Sequence, residues 1–183
     1  MAENRKDRPE VFKSFDSLSR GGGGATGGGM DRSRRPEHRP RPALSPEYLH
    51  GGYFDSEGHL RKEIFISWPE QELKPKLDAT KNSLRGFYTM LRMAKSRFER
   101  QRSDQDRAKE EAKNQLLKMR VGAEYQRTRK VISPLCHDFL VRNLDLVLQH
   151  VGDFQLFAKN LNAFVEHFQA VIAYLPEKDK ADR

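Results

Sequence analysis

Apolar residues recur every three or four positions from about Asp78 to Leu175, and the phase of that recurrence breaks three times. Leu84, Phe87, Tyr88, Leu91, Ala94 and Phe98 share one face of a first long helix. The polar break Arg102–Arg107 offers Asp104 or Asp106 as N-cap of a second helix, with a narrow stripe of Ala108, Ala112, Leu116, Met119 and Ala123. Ser133-Pro134 marks a third start, Ser as cap and Pro at the first helical position. Leu135, Phe139, Leu140, Leu146 and Val147 carry that helix, which is expected to end near Gly152. A fourth helix is expected from about Phe154 to Leu175 on Phe157, Leu161, Phe164, Phe168, Val171 and Ile172, with Pro176 ending it.

Upstream the period is lost. Within residues 45–79, Ser45 before Pro46 is a candidate N-cap and Asp55–Gly58 a turn. A short amphipathic segment follows, with Ile64, Phe65 and Trp68 as its apolar face and Pro69 as its expected stop. In residues 1–44, GGGGATGGG has no side chains to pack, and RSRRPEHRPRP interleaves arginine with helix- and ladder-breaking proline. The glycine run is no phosphate loop, because no Gly-Lys-Ser/Thr follows it and no strand precedes it. The expected fold is all-α, with no alternating strands and no internal repeat. A compact bundle of four to six helices should occupy 45–176, between a disordered N-terminal tail over 1–44 and a charged tail over 177–183. The tail arginines can add non-specific affinity for a polyanion.

Composition turns attention to anionic partners. The 183 residues carry a net charge of +8 at a pI near 9.7. Residues 80–130 hold 15 Lys and Arg against 6 Asp and Glu, so most of the excess lies on two helices. Such a balance suits nucleic acid or an anionic membrane surface. The single cysteine, Cys136, rules out a disulfide within the chain and fits a reducing cytoplasm. No secretory apolar run and no stretch near the roughly 20 residues of a membrane span stand out, so a soluble, cytoplasmic chain is expected.

On a helical wheel, Lys109, Lys113, Arg120 and Arg127 fall in one sector about 40° wide beside the apolar stripe, and rise through roughly 27 Å. Successive phosphates along a strand repeat every few ångströms, so such a row can meet several. Lys118 and Arg129 project from the far side, around Tyr125, while the first helix adds Arg85, Arg92, Lys95, Arg97, Arg100 and Arg102. Cations near a helix C-terminus also suit the macrodipole, and charged runs commonly mark a solvated face. Tyr125 itself is expected in a core or interface, since stacking proteins usually expose more than one aromatic.

No catalytic, metal or cofactor site is expected. The six histidines show no ligand spacing, and Cys136-His137 is an isolated neighbour pair whose side chains diverge on a helix. His150 and His167 flank apolar stripes, as structural histidines do. No Gly-x-Ser-x-Gly elbow is present. Arg142 and His150 sit near one helix face, but their spacing misses the Arg-then-His pattern of small helical ribonucleases of the HEPN type.

Three passages carry a resemblance, and a fourth supports it. YFDSEGHLRKE (Tyr53–Glu63), TKNSLRGFYTML (Thr80–Leu91) and LLKMRVGAEYQRTRK (Leu116–Lys130) are similar, in order, to the small subunit of type III-A CRISPR effector complexes, the Csm complexes. FVEHFQAVIAYL (Phe164–Leu175) resembles the closing helix of that family. The first 44 residues depart from the pattern, and Glu124-Tyr125-Gln126-Arg127 leaves Arg127 and Arg129 both as the equivalent cation. The resemblance implies a non-catalytic helical bundle, stacked as repeated copies beside the backbone and large subunits, with basic surfaces along crRNA and target RNA. It implies self-association and no membrane partner. Carried over by position, Arg85, Lys118, Tyr125 and Arg127 or Arg129 would contact RNA, and Lys130 at the end of the block is expected beside them. Arg92, Lys109, Lys113 and Arg120 join them from the wheel. Two alternatives stand beside this one: a helical protein–protein interaction module without RNA contact, and a small all-α ribonuclease using Arg142 and His150.

Overall fold

The computed structural model describes residues 43–79 and 81–176. Apart from Ala43 and Leu44, the tails expected over 1–44 and 177–183 lie outside the described residues. Four α-helices follow in chain order: α1 (Lys81–Arg100), α2 (Gln105–Thr128), α3 (Pro134–Leu148) and α4 (Phe154–Tyr174). Among the described residues there is no strand beyond an isolated bridge between Phe54 and Leu60.

The helices begin where the sequence supplies caps. Asp104 accepts from the Arg107 N–H at 3.1 Å, Ser133 from the Cys136 N–H at 3.1 Å, and Asp153 from the Leu156 N–H at 3.0 Å. Each satisfies a first-turn donor that no intrahelical carbonyl can reach, which is worth about 1 kcal/mol. Short turns after α1 and α3 fold the chain back, and α2 packs against both α1 and α3, while α4 packs on α1 and α3. Ala108, Ala112, Leu116, Met119 and Ala123 are fully enclosed, and their small side chains let α2 approach its neighbours closely. Larger rings fill the space opposite. Phe164 and Phe168 stack with centroids 5.7 Å apart, and Phe139 meets Phe168 edge-on at 5.2 Å.

The third helix ends at Leu148, earlier than expected, and Gly152 lies in the turn that follows. Leu146 is only half-buried, and Asn143 and Leu144 complete the enclosed face instead.

Residues 43–79 form a cap whose winding defeats simple periodicity. A 3-10 turn at Lys62–Ile64 is followed by a π-helix at Trp68–Leu73. Two departures from 3.6 residues per turn rotate Phe65 outward, to 36% exposure, while Ile64 and Trp68 are buried. Pro69 does not stop the segment. It lies in the first turn of the π-helix, where its missing N–H costs nothing and its fixed φ suits the helix. Ser45 caps a turn rather than a helix, accepting from the Glu47 N–H at 3.1 Å. Gly58, at φ +83°, closes the Asp55–Gly58 turn in a conformation that favours glycine. Asp55 accepts the His59 and Glu57 N–H groups there, and those bonds hold its carboxyl below the usual range.

What pins this cap is a buried polar network. His167 donates from Nδ1 to the Ile64 carbonyl at 2.7 Å, leaving Nε2 to accept from the Tyr48 hydroxyl at 2.8 Å. Asn143 donates from Nδ2 to the Tyr48 hydroxyl (2.8 Å) and to the Phe139 carbonyl (2.7 Å), and accepts the Tyr53 hydroxyl at 2.7 Å. Burial pushes His167 down to about 4, although its bond to Ile64 favours the charged ring. It pushes the Tyr48 and Tyr53 phenols well up. His167 is thus the structural histidine its sequence position implied.

Candidate nucleic-acid interface

The structure divides the expected cations into two sets. The row Lys109, Lys113, Arg120 and Arg127 runs along α2, its last two members reach α3, and each member is engaged. Lys109 pairs with Asp106 at 3.1 Å and Lys113 with Glu110 at 3.2 Å. Arg120 donates across to Asp145 of α3. Arg127 approaches His137 Nδ1 at 3.5 Å, and the other ring nitrogen of His137 meets Glu124 at 2.7 Å. Where the row begins, an open cleft of about 610 Å³ is lined by Asp106, Glu110 and Glu111 as well as Arg107, Lys109 and Lys113. Equal numbers of acids and bases leave that cleft with little net field for an anion.

The second set is free of acids. Among the described residues, Arg85, Arg92, Lys118 and Lys130 make no ion pair. All four are exposed, as are Tyr125 and Arg129. Arg85 and Arg92 are seven residues apart on the outward face of α1. Lys118 and Tyr125 share the outward face of α2 by the same spacing, Arg129 caps the C-terminus of α2, and Lys130 follows at φ +58°. These six residues stand on, or just past the end of, adjacent helices, because α1 and α2 pack side by side.

Tyr125 is 46% exposed, which removes the core half of the expectation that it lies in a core or an interface. The buried stripe of α2 passes through Ala123 and Gln126 and leaves position 125 facing outward. Arg129 fixes it, donating to its hydroxyl at 3.2 Å with the guanidinium 5.3 Å from the ring centroid. Leu117 and Val121 continue this face toward the helix start and are also exposed. The sequence reading missed them because they lie outside the main buried stripe.

The remaining candidates are occupied structurally. Arg142 donates to Asp138 at 3.1 Å and to the Ser45 carbonyl at 3.4 Å, and His150 bonds Gln149 at 3.1 Å. No hydrogen bond joins Arg142 to His150 among the described residues. Cys136 is enclosed, and burial pushes its thiol up to about 12, far from a reactive thiolate. Among the described residues no group of His, Cys, Asp and Glu could hold a metal ion, and no helix is long and apolar enough to cross a membrane.

A family model described as Csm2 Type III-A matches residues 70–176, more than half of the chain and the whole of α1–α4. No curated protein and no solved structure gives a match.

Proposed function

Because the chain belongs to the Csm2 Type III-A family, the non-catalytic small subunits of type III-A Csm complexes, we propose that it holds crRNA and target RNA by phosphate and ribose rather than by sequence. The guide supplies sequence by pairing, so the protein needs only a cationic surface of suitable length. Copies repeat along the complex beside its backbone and large subunits, and the whole serves antiviral defence.

The observation that supports this most is the acid-free set Arg85, Arg92 and Lys118 on the outward faces of α1 and α2. Cations already paired with carboxylates must exchange one anion for another, whereas unpaired ones gain a partner outright. The surface of the bundle, not the row beside α3, is therefore the principal RNA contact. The test is a complex reconstituted with the Arg85→Ala, Arg92→Ala, Lys118→Ala subunit. Target RNA should bind more weakly for guides of unrelated sequence alike. Full affinity with the variant subunit incorporated would contradict the proposal.

A further inference from the structure

The outward face of α2 holds more than charge. Leu117, Val121 and Tyr125 follow one another at one-turn intervals, with Val121 66% exposed. Isolated exposed apolar residues need no explanation, but three in line on one helix face do. Lys118, without an acid partner, lies beside them, and Arg129 lies over the last. The Tyr125 ring is held twice, by the hydroxyl bond and by the guanidinium, so little side-chain freedom remains to be lost on binding.

A ligand that matches an exposed ring and aliphatic groups with cations alongside is a nucleotide strand. A base of the strand covers the ring, and phosphates along the same strand meet Arg129 and, about 10 Å along the helix, Lys118. We infer that Tyr125, with Val121 and Leu117 beneath it, is a stacking platform for an unpaired base of bound RNA. This rests on the RNA-binding function proposed above and adds a contact of a different kind. A second protein covering the same stripe is the competing occupant. It would gain from the apolar residues but would have to bring carboxylates for Lys118.

Stacking and phosphate contact separate by salt. Phosphate contacts release counterions and set the slope of log K against log salt, about −0.7 per phosphate on a single strand, whereas stacking leaves that slope alone. The experiment measures fluorescence anisotropy of a labelled oligouridylate with the full chain between low and moderate salt. Tyr125→Ala should weaken binding by roughly five- to a hundredfold at every salt concentration with an unchanged slope. Tyr125→Phe, which keeps the ring, should retain most of the affinity.

Equal affinity for Tyr125→Ala and the parent overturns the platform, and so does a loss shared by Tyr125→Phe. A Leu117→Ser, Val121→Ser chain that keeps its RNA affinity yet fails to join the complex also overturns it, and assigns the stripe to a protein neighbour. Failure of the underlying RNA function looks different: Arg85→Ala, Arg92→Ala, Lys118→Ala then leaves both affinity and slope where they were.

Discussion

Arg120 of α2 donates its guanidinium to Asp145 of α3, and the pair joins two helices at the middle of the cation row. Arg120 and Asp145 are part-exposed, so the pair contributes at most about 1 kcal/mol to stability. On the proposed RNA-binding reading, Asp145 also occupies a cation that a phosphate would otherwise meet. Asp145→Ala should raise RNA affinity about two- to fivefold while costing little stability, measured by anisotropy titration beside a thermal melt. Lower affinity in a folded Asp145→Ala chain would show that Asp145 positions Arg120 for RNA rather than competing with it.

The caps predict a local stability effect. Asp104→Ala removes the acceptor for the Arg107 N–H at the start of α2 and should cost about 1 kcal/mol, seen as a lower urea midpoint with unchanged slope. Asp153→Ala should behave alike at the start of α4. Neither carboxylate belongs to the proposed RNA-facing set, so affinity should stay level in both.

His167 predicts a pH dependence. Its folded value of about 4 lies below the ordinary 6.5, so in the interval between them the unfolded chain binds the proton and the folded chain does not. The stability it contributes is therefore complete above pH 6.5 and is lost as pH falls toward 4, by about 3 kcal/mol in all. Its neighbours are Tyr48, Tyr53, Trp68 and Phe139, with no carboxylate in hydrogen-bond contact to offset the charge. Urea titrations at pH 7, 5.5 and 4 should show His167→Gln starting less stable but losing about 3 kcal/mol less over that range. Parallel loss in both proteins would remove His167 from the acid response.

Tyr48→Phe tests the same network from the other side. It takes the donor from His167 Nε2 and the acceptor from Asn143 Nδ2, both in the core. The cost should be about 1–3 kcal/mol, for a change that removes a single oxygen.

The four helices were legible because each carries its own apolar stripe and, for α2–α4, a capping residue at the start. The cap over 43–79 was not, because its structure depends on partners far away in sequence. Tyr48 and Tyr53 are held by Asn143 and His167, 90 to 119 residues along the chain, and no local period encodes such bonds. Pro69 illustrates the same limit: its chemistry serves the start of a helix as readily as its end. The cation row could be read from a wheel, and so could the i,i+3 pairs of Lys109 and Lys113, but the engagement of Arg120 and Arg127 could not. Asp145 and His137 reach it from α3, whose register against α2 is a tertiary fact. The acid-free set emerged only by subtraction, once the structure had shown which cations are paired with carboxylates.

The most direct test compares salt dependence. The full chain and its Arg85→Ala, Arg92→Ala, Lys118→Ala variant are titrated against two RNAs of unrelated sequence over a range of salt, with folding checked by circular dichroism. The predicted result is weaker binding and a slope reduced by about 2, equally for both RNAs, as expected for up to three lost phosphate contacts. Identical slopes in a folded variant, or an effect on one RNA alone, would contradict sequence-independent binding by this surface.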